Sequence, residues 1–398
     1  MVGMSRAELL RMARRNIAHV KAETIDQEPG VFRVPASHYL ERERFEREIE
    51  RVWKRAPLML ALSSELREPG DFRALEVAGV PVLIARGSDG QVRAFVNSCA
   101  HRGAQVVTES SGNTRRFVCP YHAWSYDENG ALAGVFARGD FGEIDPACHG
   151  LVRLPSAERA GLVWVTLSPR EAVDIDTFLC GYDRVLGEFG FQGWHVFARR
   201  SVPGPNWKIA YDGYLDFYHL PILHKGSFGG GMPHRALYDA YGPHQRVSFP
   251  NPGLLRFEDV PEDQWETREL LAGVWTIFPH ISIATFDVGV RAVLLSQLFP
   301  GESPAQSVTV QSYVMEHEPN ESGRAAAEKM FELLGHVVRE EDYATGLRQQ
   351  RALATGARAE VLFGRNEGGG QRFHRFLDRM LALDDEQLAA ELRKETSE

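Results

Sequence analysis

The chain has 398 residues, 43% hydrophobic and 25% charged, with a formal net charge of −9. That length holds two domains, each large enough to bury a sizeable core. An acidic balance without a basic stripe excludes nucleic acid or an anionic membrane surface as the main partner, and no apolar run is long enough to span a bilayer.

Residues 1–15 mix Arg and Glu with apolar residues and show neither an h-region nor a small-residue cleavage site, so no secretory signal is expected and the protein reads as cytoplasmic. Residues 37–55 carry apolar side chains at 45, 49, 52 and 53 among charges, the pattern of an amphipathic helix with a solvated polar face. Residues 1–57 are expected to form an N-terminal helical segment that packs on the second half of the chain. After Pro57 the pattern changes to short alternating runs at 80–84, 92–96 and 117–118, with turns such as Glu68-Pro69-Gly70-Asp71 and Ser88-Asp89-Gly90. A last run at 162–167 precedes Ser168-Pro169-Arg170, which marks a boundary. Residues 58–168 are expected to be a small all-β domain and residues 169–398 a second domain.

Within the β-domain stand Cys99-x-His101 and, after seventeen intervening residues, Cys119-x-x-His122. Zinc fingers usually pair Cys with Cys and His with His. Here each pair is mixed, which is the division a Rieske [2Fe-2S] centre needs, two thiolates on one iron and two imidazoles on the other. The neighbouring Gly103, Pro120, Tyr121 and Trp124 suit tight loops over a cluster. Of four cysteines, Cys148 and Cys180 remain, and both are expected to be buried apolar fillers.

The second domain opens with a helical stretch near 174–189 and strands near 196–202, 273–286, 291–299 and 308–315, then a long helix over 322–353. That is an α+β domain with helices on an antiparallel sheet. Between the first strands lies Asn206 to His224. Asn206 is a plausible N-cap, and Pro221 should stop the helix near Leu220, leaving His219 in its last turn. The break lets His224 fold back beside His219, which an unbroken helix would not allow. Asp216, three residues before His219, can hydrogen-bond its imidazole. Two His and one carboxylate make the facial triad of a non-haem Fe(II) oxygenase with positions left for dioxygen. Of Glu340, Glu341 and Asp342, helical angles place Asp342 nearest the inward stripe of Phe331, Leu334 and Val338, so Asp342 is the expected third ligand. Phe217, Phe228, Phe286 and the run through Ile283 suggest an apolar pocket beside them.

With both constellations, the chain resembles the oxygenase α subunit of the Rieske non-haem iron aromatic-ring-hydroxylating family. The resemblance runs over nearly the whole length and rests on the two Cys/His pairs, Asn206-Trp207-Lys208, Asp216-x2-His219-x4-His224 and Glu341-Asp342. It implies a Rieske domain followed by a helix-grip-like catalytic domain, and a head-to-tail homotrimer with or without a β subunit. It further implies that Asp216 bridges His219 to His122 of the neighbouring subunit's cluster. Departures at Asp212-Gly213, often Glu-Asn in the family, and at His280, often Asn, border the pocket and leave the substrate open.

The expected activity is that of a terminal oxygenase using O2 at a mononuclear Fe(II) to hydroxylate an organic, aromatic substrate. Ring cis-dihydroxylation is favoured, and monooxygenation or demethylation of an aromatic or quaternary amine is the alternative. Gly229-Gly230-Gly231 lacks the strand–helix setting of a dinucleotide site, so NADH electrons are expected through a separate reductase, with or without a ferredoxin. From other classes, a non-catalytic Rieske carrier would hold two irons per chain rather than three, and a zinc module would show no cluster spectrum.

Overall fold

The computed structural model describes residues 2–170, 173–287 and 289–395. Residues 58–165 are mainly β-structure, as the short runs imply. One antiparallel sheet orders the strands Arg153–Leu154, Val92–Val96, Val80–Arg86, Asp71–Val77 and Ser111–Asn113. A second joins Ser156–Arg159, Leu162–Val165 and Leu58–Leu62, and a third joins Arg116–Val118, Ser125–Asp127 and Leu132–Gly134. Two hairpins close on two-residue turns, Ala78-Gly79 and Ala160-Gly161, with positive φ at all four residues. That left-handed pair matches the strand twist.

The catalytic half is built on a seven-stranded antiparallel sheet. Its strands are β1 (His195–Gly204), β2 (Leu237–Tyr241), β3 (His244–Ser248), β4 (Val274–Ile277), β5 (Ile281–Asp287), β6 (Arg291–Pro300) and β7 (Ser307–Met315), in the order β1-β7-β6-β5-β4-β3-β2. The pleat separates two faces. The back face, with Trp275, Ile283, Leu295 and Val314, packs on Trp164 of the β-domain and on Leu9, Met12 and Ile17 of the N-terminal helix Val2–Ala22. The front face, with Leu294, Tyr313 and Met315, packs on Phe331 and Leu334 of the long helical segment. The α+β architecture is the one the sequence pattern indicates, and its helix-grip-like form the one the family resemblance implies.

Several local expectations are corrected. The helix after Asn206 spans only Trp207–Asp212; Gly213 follows it, and Pro221 lies at the start of a new helical turn, Leu220–Leu223, rather than ending one. Proline costs nothing in a first turn, where its missing N–H has no partner to lose. Residues 37–55 are not one helix but Ser37–Leu40, Arg42–Glu48 and a π-helical turn Ile49–Trp53, interrupted at the extended Glu41. The long C-terminal helix is likewise divided, with a π-helical stretch Val337–Tyr343 between Glu321–His336 and Ala344–Leu353. Cys148 is exposed in a loop turn capped by Asp145; only Cys180 of that pair is buried. Strands β2 and β3 and the helices Gly368–Ala382 and Asp385–Glu395 went unrecognised in the sequence. Among the described residues no helix is long and apolar enough to cross a membrane.

Candidate metal centres

The first centre is displayed by two β-loops. Cys99 and His101 follow the strand Val92–Val96, and Cys119 and His122 join Arg116–Val118 to Ser125–Asp127. Each loop is closed by its own backbone: Gly103 N–H donates to Cys99 O and Ala123 N–H to Cys119 O. Both thiols are buried, and the two imidazole centroids stand 4.6 Å apart. The Tyr126 hydroxyl lies 3.1 Å from Cys99 Sγ and accepts the Ala100 N–H at 2.9 Å, tying the strand behind one loop to the other. His101 Nδ1 is buried without a hydrogen-bond partner. Desolvation, with His122 and Arg102 nearby, lowers the His101 pKa. Among the described residues, the group of three or more donors that gathers around a single ion lies elsewhere in the chain. Two soft thiolates, two imidazoles and one orphaned ring nitrogen therefore fit a two-iron cluster better than a lone zinc ion.

The second centre is assembled from His219, His224 and Asp342, whose ligand atoms lie within 4.8 Å of one another. Asp342 Oδ1 is 3.2 Å from His224 Nε2 and 3.8 Å from His219 Nε2. The opposite ring nitrogens are held by carboxylates. Asp216 Oδ1 faces His219 Nδ1 at 3.1 Å and also accepts the backbone N–H of Tyr218 at 2.6 Å. Glu341 Oε2 faces His224 Nδ1 at 2.6 Å, while its Oε1 accepts the Ser227 hydroxyl at 2.7 Å. Each imidazole thus keeps its proton on Nδ1 and turns the Nε2 lone pair inward, the form a metal binds. Burial pulls the His224 pKa down, but Asp342 and Glu341 outweigh it and raise it. Burial pushes Glu341 up, but its bonds to Ser227 and His224 leave it lowered. A site that holds a proton this way attracts a cation, and two neutral His with one carboxylate suit Fe(II).

The helix that precedes this loop is clamped from below. Asn206 Oδ1 caps it through Lys208 N at 2.9 Å, as its position implies. Lys208, fully buried, forms an ion pair with buried Glu48 of the N-terminal segment, which also accepts Trp207 Nε1–H at 3.1 Å. The Asp212 carboxylate accepts from Tyr39 Oη and from His374 Nε2, each at 2.9 Å. Ile283 is corrected, since the pleat turns it to the back face, and His280 is enclosed by Trp53 and Phe299. Phe228 stands 5.9 Å from the His224 ring and shares a cluster with Phe286, whereas Phe217 packs with Val247 and Val274. Glu341 was passed over on α-helical angles. The π-helical stretch widens the turn, so that Glu341 and Asp342 both reach the same loop.

A model of the Rieske [2Fe-2S] domain matches residues 56–141, and one of the ring-hydroxylating α-subunit catalytic domain matches residues 191–383. The chain is 34% identical over 238 residues to the anthranilate 1,2-dioxygenase large subunit of Burkholderia cepacia, covering 56% of each. It is 29% identical over 205 residues to the glycine betaine monooxygenase oxygenase subunit of Chromohalobacter salexigens, covering 51% of this chain and 45% of that one. It spans about half the length of the curated relatives it matches. Among solved structures, the quaternary ammonium Rieske monooxygenase CntA superposes with a TM-score of 0.74 at 20% identity, covering 90% of this chain and 99% of that one. Naphthalene 1,2-dioxygenase from Rhodococcus sp. gives 0.72 at 20% identity, covering 94% and 98%. With both domains matched in order along one chain, this protein belongs to the family of Rieske ring-hydroxylating oxygenase α subunits.

Proposed function

We propose that this chain is a terminal oxygenase component that receives electrons from a separate NADH-linked reductase, with or without a ferredoxin, and uses O2 to hydroxylate an aromatic substrate. The observation that carries the reading is the closure of His219, His224 and Asp342 about one point, with Asp216 on the outer nitrogen of His219. Cys99, His101, Cys119 and His122 would hold the cluster, and His219, His224 and Asp342 the mononuclear iron. When bound, the cluster supplies single electrons and the iron supplies the place where O2 is activated. Asp216 fixes the His219 tautomer and stands at the protein edge, where it can accept a hydrogen bond from His122 of a neighbouring copy.

A head-to-tail homotrimer follows from that bridge. Exposed apolar side chains support it at both ends: Val118, Tyr121, Phe136 and Phe141 surround the cluster loops, and Tyr218 and Ile222 flank the iron loop. Large exposed apolar residues grouped this way mark contact surfaces. A ring of three buries each cluster against the next subunit's iron site. The four free cysteines suit a reducing cytoplasm.

Ring cis-dihydroxylation is the favoured reaction, supported by similarity to anthranilate 1,2-dioxygenase. Amine monooxygenation is the second reading, because a glycine betaine monooxygenase subunit is nearly as similar. Iron analysis with a surrogate reductase assay tests the proposal. Three irons per chain, a Rieske EPR signal and O2-dependent product support it; two irons and no product leave an electron carrier. Diol separates the favoured reaction from aldehyde release.

A further inference from the structure

Three consecutive residues of the π-helical stretch make contacts that bear on the iron loop. Glu341 and Asp342 both face His224, and Asp342 also faces His219. Tyr343, the third, turns its ring toward the catalytic sheet. The ring lies against Gly204 of β1, where a Cβ would stand 2.9 Å from Tyr343 Cε2 and 3.1 Å from Cδ2, so glycine is the residue that leaves it room. The Tyr343 hydroxyl is bonded to Thr309 Oγ1 of β7, and both residues are buried.

The approach to the iron loop supplies a second phenol. Tyr214 stands five residues before His219, on the turn that leaves the helix Trp207–Asp212, with its N–H donating to Tyr211 O at 2.9 Å. Its hydroxyl donates to Ser296 Oγ of β6 at 3.4 Å and is also a hydrogen-bond partner of Tyr343 and of Gln311 on β7. Ser296 is opposed to Gln311 on one side and to Ser282 on the other, and Thr309 lies two residues from Gln311 on the same front face. The two phenols therefore meet each other and the sheet at one spot, within electrostatic reach of the Asp342 carboxylate.

The iron ligands come from two separate elements. His219 and His224 ride on the loop after Gly213, Asp342 on the C-terminal helical segment, and 117 residues separate His224 from Glu341. Local chain geometry cannot set the distance between elements so far apart. A link from Tyr214 to Tyr343 can, because each tyrosine is tied by a few bonds of backbone to a ligand. Phenylalanine would fill both places equally well, and a buried hydroxyl is costly unless it is bonded. A core network kept for stability alone would account for the bonds but not for their joining the two ligand-bearing elements beside Asp342.

We propose that Tyr343 and Tyr214 are positioning residues for the mononuclear iron: their joined hydroxyls, seated on Thr309 and Ser296, set the distance between Asp342 and the two histidines. The inference rests on the oxygenase reading in taking those three side chains as the iron ligands. A fully bonded network of this kind is rigid, and a metal held by pre-set ligands is held more tightly and in one geometry.

The test measures Fe(II) affinity of the full chain, with the cluster in place, by competition with a graded chelator. Tyr343→Phe and Tyr214→Phe each keep the ring and lose the hydroxyl, and each should weaken Fe(II) roughly tenfold. The double variant should be no more than about twofold weaker than the worse single one, because either loss opens the same link. Tyr211→Phe is the control. It removes a buried hydroxyl that donates to Ile281 O of β5 at 3.2 Å, and it should bind Fe(II) as the parent does. The geometry has its own readout in the EPR spectrum of the Fe(II) site treated with nitric oxide while the cluster is oxidised and silent. The parent should give one sharp high-spin signal, and the two Phe variants a spread of rhombicities. Should the Tyr343 variant misfold, Thr309→Val must weaken Fe(II) likewise, and Thr309→Ser, which keeps the hydroxyl, must restore it. Parent-like affinity and spectrum in both Phe variants, losses that multiply in the double variant, or an equal loss in Tyr211→Phe would overturn the proposal. A parent that binds no Fe(II) through His219, His224 and Asp342 sinks the oxygenase reading and the link with it, whereas a parent that binds it no better than the Phe variants sinks the link alone.

Discussion

Glu341 Oε2 lies 2.6 Å from His224 Nδ1, in the same relation that Asp216 bears to His219 Nδ1 at 3.1 Å. Both imidazoles at the mononuclear site therefore have a carboxylate behind them. The two supports differ in how they are occupied. Asp216 Oδ1 is shared with backbone N–H groups of Tyr218 and His219, whereas Glu341 divides its oxygens between His224 and Ser227.

Removing the Glu341 support should loosen the metal before it alters the fold. Glu341→Ala leaves the His224 ring free to turn and is expected to weaken Fe(II) binding by about 10- to 100-fold. Glu341→Gln keeps an acceptor for the Nδ1 proton and should fall between the two. Iron retained after dialysis against a graded chelator measures this, with circular dichroism as the control. Equal iron retention in all three proteins would remove Glu341 from the site.

Asp216→Asn should behave differently, because the amide oxygen can still accept from His219 while the charge that the proposed bridge to a neighbouring copy would use is lost. Both metals are expected to stay bound and product formation to collapse. The direct readout is the rate at which the reduced cluster reoxidises in the presence of O2 and substrate. Reoxidation at the unmodified rate would show that electrons do not pass by this residue.

The Lys208–Glu48 pair supports the helix that leads into the iron loop, and neither side chain reaches solvent. Glu48→Ala strands a buried ammonium and takes the acceptor from Trp207 Nε1, so a loss of about 3–5 kcal/mol is expected. Replacing both members by Met should recover part of it, since the desolvation of two charges disappears with them while Arg44 Nε and Trp207 Nε1 still lose their Glu48 acceptor. Urea denaturation of the single and double variants decides. A single-variant loss below about 1 kcal/mol would mean that Lys208 relaxes toward water.

The sequence carried the cluster loops almost completely, because ligands within two or three residues of each other need no long-range information. His219 and His224 were legible for the same reason. The supporting chemistry was not. Glu341 reaches His224 only because the helix widens into a π-turn at Val337–Tyr343, and α-helical angles direct it elsewhere. Only the family resemblance puts Asp212 and His280 beside the pocket. Their real partners, His374 and Tyr39 for one, Trp53 and Phe299 for the other, lie far away in the chain. Ile283 and Ser282 show the limit most plainly: adjacent in sequence, they fall on opposite faces, and only the strand register says which one faces the iron.

His280 also sets an acid limit on stability. It is wholly buried, both ring nitrogens lack hydrogen-bond partners, and burial lowers its pKa to about 3. In the unfolded chain a histidine titrates near 6.5. Between those values the unfolded state binds a proton that the folded state refuses, so stability present above about pH 6.5 is lost as the pH falls toward 3. His244, lowered to about 4 by burial and held between Phe178 O and Phe278 N–H, adds to the same window. His280→Phe keeps an aromatic ring between Trp53 and Phe299 and removes one of these penalties. The variant should match the parent within about 1 kcal/mol at pH 7 and exceed it by ~2–3 kcal/mol at pH 4.5, as judged by denaturant midpoints at the two pH values. Parallel acid losses in parent and variant would show that His280 takes up its proton without unfolding, and would place it next to water.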